Sequence, residues 1–152
     1  MHQELKHAGN VVLLRGAALW LLIALILAWC MVGVNFDLKL LKVIFSGKPA
    51  RLLQAHLDLL IMSALIFGFY AAKVTLPWHV RWAMVVGAFT NSSLFLLMAI
   101  FPVLDKPEPD QSIFSAVFLV YTFASLVTTS YGFGKGAVIV LRSTFKARSS
   151  QD

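Results

Sequence analysis

The chain has 152 residues, of which 59% are apolar and 13% charged, whereas an ordinary soluble domain is roughly 45–50% apolar and about 25% charged. Together with a mean hydropathy of +0.81, this excludes a soluble enzyme and a disordered tail. The formal charge is +6, but the charges flank the apolar stretches, which marks them as membrane-flanking and excludes a nucleic-acid face.

Crossing a hydrocarbon core of about 30 Å takes roughly 20 apolar residues as a helix, because a backbone in lipid must satisfy its own hydrogen bonds. Four segments meet that requirement. The first, 11–34, has an uncharged core from Gly16 to Val34 with Arg15 at the interface. No small-residue cleavage site follows it, so it reads as an uncleaved anchor. Its lone cysteine, Cys30, excludes an intrachain disulfide, a Cys-rich zinc site and C-x-x-C-H haem attachment, and reads as a packed small residue. The connection that follows, 35–51, holds LKLLKVIF, predicted as an interfacial helix. The second span, 52–72, carries Gln54, His56 and Asp58 in its first two turns. In the linker KVTLPWHVR, Pro77 is predicted to stop the helix, and Trp78 and His79 sit where aromatic belts lie.

The third span, 82–101, has a polar belt of Thr90, Asn91, Ser92 and Ser93 at its middle. An acidic, proline-rich turn, DKPEPDQ, leads to the fourth span, 113–132, with Tyr121, Thr122, Ser125, Thr128 and Thr129 along it and a possible extension to Arg142. Short hinges make this an all-α integral membrane protein, an antiparallel up-down bundle of four transmembrane helices forming one membrane domain, 1–152. With both termini on one side, that side holds Lys6, Arg15, Lys73, Arg81, Arg142, Lys146 and Arg148. The other holds Lys39, Lys42, Lys48, Arg51 and Lys106, so the count of seven to five favours cytoplasmic termini. Lys135, near the end of span four, is expected to snorkel and is left out.

An ionisable group inside a membrane helix is a functional candidate because burying it is costly. His56 shares a helix face with Leu60, Ser63, Phe67 and Tyr70, against which a flat macrocycle can lie with its iron on the imidazole; the alternative is an ordinary interfacial histidine. His79 is 23 positions away, roughly 30 Å if helical, so any haem would have one axial histidine and one open position. An open position favours ligand or substrate binding over electron transfer. Asp58 lies about 200° round the helix from His56 and reads as an acid balancing the helix dipole, or as a group holding a substrate amine or a neighbouring protomer's side chain. Asn91 either ties helices together or points a donor into a pocket. Ser92, Ser93, Ser125 and Thr128 read as close-packing contacts. Zinc, P-loop, Rossmann and Ser-His-Asp patterns are absent.

The stretches RLLQAHLDLLIMS, GAFTN, DQSIFSAVFLVY and LRSTFKARSS, with K-H-A-G ahead of span one, occur in an order and at loop lengths that resemble the styrene oxide isomerases and the related hydroxylaminobenzene mutases. Those are small four-span bacterial membrane proteins. The resemblance implies a homotrimer with haem b at protomer interfaces, held by the histidine of the A-H motif, here Ala55-His56. It also implies that the iron acts as a Lewis acid on an epoxide oxygen, giving an aldehyde without redox turnover. The span-three asparagine is Asn91, the expected catalytic side chain. A-H-L-D and the 87–91 run look closer to the mutase branch. Three positions depart from the family: Met62 stands where an Asn is expected, Gly87 where the isomerase has Asp, and Phe95 where it has Tyr.

The reading is therefore an oligomeric protein of the bacterial inner membrane, with haem b on His56, that rearranges a small lipophilic substrate drawn from the lipid bilayer and binds no nucleic acid. Its alternatives are a non-enzymatic haem- or lipophile-binding protein and a structural or accessory four-helix bundle.

Overall fold

A computed structural model describes residues 10–106 and 112–148, with side chains to Phe145. His2, Lys6 and His7 lie outside the described residues, as do 107–111 of the acidic turn, the tail beyond Arg148 and the side chains of Lys146 and Arg148. Five α-helices and a 3-10 turn make up the described chain: α1 (Val11–Asn35), α2 (Lys39–Ile44), α3 (Pro49–Ala71), α4 (Trp78–Ile100), the turn Pro102–Asp105, and α5 (Ile113–Arg148). Four of them, α1, α3, α4 and α5, are long and apolar enough to cross a membrane.

The helix ends follow local chemistry. Pro49 opens α3 at a position whose N–H has no partner within the helix. At its far end α3 stops at Ala71, where Lys73 takes a left-handed φ of 55° and its N–H reaches back to the Tyr70 carbonyl. Pro77 therefore does not stop α3 as expected; it precedes α4, and its carbonyl receives the N–H groups of Val80 and Arg81. The predicted interfacial segment forms the short helix α2. The fourth span is longer than 113–132, for α5 passes through Gly132, Gly134 and Gly136 without a break and runs on to Arg148. Gly132 and Gly136 are bare because α4 and the Phe69 ring of α3 lie against them.

Helix α4 is the hub. It packs against α3 on one side and α5 on the other, and also meets α1, which pairs mainly with α3. Small residues sit at these contacts: Ala17 and Ala24 on α1, Ala55 and Ser63 on α3, Ala88 and Ser92 on α4 and Ser125 on α5 are all buried. In lipid the helices gain little from hiding leucine, so close backbone approach and interhelical hydrogen bonds carry the association. Outward positions stay apolar and exposed, as with Trp29, Ile61 and Phe123.

Two apolar clusters fill the interior. Leu13, Ile66, Val80 and Met84 belong to the cluster near the start of α1. Leu27, Leu52, Leu59 and Ala99 belong to the one near its end. At that second end the 46–48 segment closes over the last turn of α4: Gly47 N–H donates to the Ala99 carbonyl at 2.8 Å, and Ser46 Oγ to the Ile100 carbonyl at 3.1 Å. A Cβ on Gly47 would stand 2.4 Å from the Met98 carbonyl oxygen, so only glycine permits this approach.

Candidate functional site

The two ionisable groups of α3 face different neighbours. His56 is half-buried beside α1, and its Nδ1 lies 2.8 Å from the Ala24 carbonyl oxygen. A carbonyl can only accept, so Nδ1 carries the proton and donates it. In the neutral ring Nε2 holds the lone pair, and among the described residues it has no hydrogen-bond partner. This is the tautomer in which imidazole binds a metal, with the second nitrogen anchored to backbone.

Asp58, two residues on, faces α4. Its Oδ2 accepts from Asn91 Nδ2 at 2.9 Å and from Ser92 Oγ at 2.7 Å. The expectation that Asp58 balances the helix dipole is thereby corrected. Helix α3 starts at Pro49 with no acid in its first turn, and Asp58 sits well inside it, tied across to the next helix. Asn91 acts as a tie between helices, the first of its two expected roles.

The polar seam continues through α4 to α5. Ser93 Oγ and Tyr121 Oη are 2.7 Å apart, and Ser125 Oγ donates to Thr90 Oγ1 at 3.0 Å. Thr129 Oγ1 reaches the Gly87 carbonyl at 2.9 Å. Ser92, Ser93 and Ser125 thus do more than fill small spaces, whereas Thr128, among the described residues, bonds within its own helix, to the Ala124 carbonyl.

His56 and Asn91 are not brought together within one chain. His56 is bonded to α1, and Asn91 to Asp58 on the other side of α3. The three departures from the family pattern have local explanations. Met62 packs against the cluster of Ile66 and Met84, and Phe95 against that of Leu52 and Leu59. Gly87 is held bare by α5: a Cβ there would lie 2.8 Å from Thr129 Cα and 2.9 Å from Thr129 N. Among the described residues no group of three or more His, Cys, Asp or Glu side chains is placed to hold a metal ion. A macrocycle that brings its own four nitrogens needs only one axial donor, and the anchored His56 fits that requirement.

The remaining described histidine, His79, sits in the first turn of α4 with Nδ1 2.8 Å from Tyr131 Oη. Lys135 Nζ donates to the same oxygen at 3.2 Å. Lys135 is exposed and lies over the Tyr131 ring, so its head is held by α5 itself.

A second polar cluster closes the opposite end. Arg51 donates through Nε to Asp105 Oδ1 at 2.8 Å and through a terminal nitrogen to the same oxygen, while Lys48 Nζ lies 2.8 Å from Oδ2. The Asp105 carboxyl is only 6% exposed, and the Arg51 and Lys48 donors hold it below the usual carboxylate range. Arg51 also donates to Gln54 Oε1 at 2.7 Å, which accounts for that otherwise odd polar residue near the start of the second span.

These features define an all-α integral membrane protein of four spanning helices, with one anchored histidine and one interhelical carboxyl-amide tie. Comparison with family models, with curated proteins and with solved structures gives no match.

Proposed function

We propose that the protein is a redox-neutral membrane isomerase or mutase that works with haem b on His56 and rearranges a small lipophilic substrate, an epoxide to an aldehyde or an arylhydroxylamine to its isomer. The observation that carries this reading is the His56 imidazole, fixed through Nδ1 on the Ala24 carbonyl with Nε2 left free. Held by His56, the cofactor would supply a Lewis-acidic iron. The chain's own part is to fix the imidazole's tautomer and rotation, and to keep water away with the apolar residues around α1 and α3. Asn91 would contribute its remaining amide N–H or its carbonyl oxygen to the substrate, with the rest of the amide held still by Asp58.

Because His56 and Asn91 are bonded on different sides of α3, a site that uses both takes them from two copies of the chain. This supports a homo-oligomer, a homotrimer by the family resemblance. For orientation, Lys135 lies 22 residues into α5, about 33 Å along its axis. It therefore joins Arg15, Lys73, Arg81 and Arg142 at the end that carries the termini, in favour of cytoplasmic termini and a bacterial inner membrane.

The absorption spectrum of detergent-purified protein, expressed with haem supply, is the test, beside His56→Ala. The wild type should keep a Soret band through purification and the variant should lose it. A colourless wild type after haem reconstitution overturns the cofactor and leaves a structural or accessory bundle, and a band unchanged in His56→Ala overturns His56 as the ligand. The apolar Met62 and Phe95 and the bare Gly87 favour a second reading, a haem- or lipophile-binding protein without turnover. Assays with aryl epoxides and arylhydroxylamines decide between the two: a coloured protein inert toward both classes leaves only binding.

A further inference from the structure

Between the first halves of α1 and α4 runs an apolar groove of about 430 Å³ that the proposed haem site does not use. Leu19, Trp20, Trp82, Val85, Val86 and Phe89 line it, with Arg15 the one charged residue among its walls. Trp20 gives one wall a fixed shape. Its indole Nε1 donates to the Val85 carbonyl at 3.0 Å, and its ring stacks on Phe89 with centroids 4.6 Å apart. Leu19 and Trp82 remain about half exposed, so the groove is open to the bilayer along its side. From Trp82 to Phe89 the wall rises about 10 Å along the axis, enough to hold a stretch of acyl chain.

Charge selects what fills it. Arg15 is exposed and makes no hydrogen bond or ion pair among the described residues. Lys73, Arg81, Lys135 and Arg142 share its end of the bundle, and Arg81 Nε is buried there without a partner. The described acids are elsewhere. Asp37 pairs with Lys42 and Asp105 with Lys48 and Arg51 at the opposite end, while Asp58 is tied between helices. Among the described residues, one end of the bundle therefore supplies its own counter-charge and the other holds cations without acids. A second copy of the chain offers, among its described residues, only these same committed acids.

We propose that this groove binds an anionic phospholipid, with the phosphate on Arg15 and one acyl chain along the Trp82–Phe89 wall. The inference is independent of the haem reading. It is tested in phosphatidylcholine vesicles containing a minor fraction of lipid with brominated acyl chains, using protein with Trp29→Phe and Trp78→Phe so that Trp20 and Trp82 report. Brominated phosphatidylglycerol should quench the fluorescence several-fold more strongly than brominated phosphatidylcholine at equal mole fraction. Arg15→Gln should weaken that preference about five-fold with helix content unchanged, whereas Lys39→Gln at the other end should keep it. Equal quenching by the two lipids reduces the groove to ordinary lipid contact, and no quenching by either means that another copy covers it; both overturn the proposal. So does an Arg15→Gln protein that keeps the full preference. If the double phenylalanine variant fails to fold, native mass spectrometry of the wild type and Arg15→Gln makes the same decision by counting retained phosphatidylglycerol.

Discussion

Helix α3 presents His56 to α1 and Asp58 to α4, and the two sides treat an ionisable group differently. On the α4 side the carboxyl accepts two hydrogen bonds from adjacent residues, so that removing it strands the Asn91 amide N–H and leaves the Ser92 hydroxyl only the Ala88 carbonyl of its own helix. On the α1 side a single backbone carbonyl holds one ring nitrogen and leaves the other free. The first arrangement spends polar groups on holding helices together. The second orients a side chain while keeping its donor atom available, which is what a ligand requires and a structural tie does not. Ionisable residues in a membrane helix are thus of two kinds, told apart by how many of their polar atoms the fold consumes.

The sharpest way to break the comparison is to disturb the seam on which Asn91 depends. Gly87→Asp places a carboxyl at this position, but Thr129 backbone occupies the space, with Cα 2.8 Å from the new Cβ. Overpacking together with a buried carboxyl lacking a partner should cost about 3–5 kcal/mol and separate α4 from α5. Reversible unfolding in detergent micelles, followed by circular dichroism, measures it. A Gly87→Asp protein as stable as the wild type would show that α5 is not seated on α4 in this way.

Asp58→Ala comes next. It should destabilise the protein by about 1–3 kcal/mol, the range for two interhelical hydrogen bonds in a membrane protein and one stranded amide donor. Asp58→Asn keeps an acceptor oxygen and should lose less than half of that. Equal losses for the two variants would mean that Asp58 acts through its charge and not as the acceptor for Asn91 and Ser92. His56→Ala should lie below Asp58→Ala, at about 1 kcal/mol for one hydrogen bond. A larger loss in cofactor-free protein would make His56 a tie like Asp58 and remove the contrast.

Much of the architecture could be read from residue order alone, because a backbone in lipid has few options: the four spans, the polar belt of α4 and the helical character of 39–44 follow from apolar length and polar spacing. Two differences between the sequence reading and the structure have physical causes. Pro77 looked like a helix stop, but the left-handed backbone at Lys73 had already ended α3, and sequence does not announce a positive φ at lysine. The fourth span, bounded at 132 with an extension to Arg142 left open, runs on through three glycines, a residue that weakens an isolated helix. Packing against α4 and Phe69 removes that penalty at Gly132 and Gly136. The Asp58–Asn91 tie had a signal that hydropathy ignores: Asp58 lies 13 residues before the last residue of α3 and Asn91 13 after the first of α4, so an antiparallel hairpin sets them level. No such register argument links His56 to Ala24, whose contact uses a backbone oxygen and leaves no trace in residue type.

The smallest expected effect separates the membrane seam from the charged cluster outside it. Asp105 is held below the ordinary aspartate value by Arg51 and Lys48. A carboxyl lowered in the folded state binds protons more readily when unfolded, so its stabilisation is fully present above about pH 3.9, the unfolded value. As pH falls below that value and through the lower folded one, the contribution is lost. Asp105→Asn should therefore lower stability by about 1 kcal/mol or less at neutral pH, and the difference from the wild type should close at the acid end. Acid unfolding of the two proteins in detergent reads this directly. Curves that stay equally far apart from neutral pH down to about pH 3 would show that the Asp105 charge contributes nothing, and that the 46–48 segment is held on α4 by Gly47 and Ser46 alone.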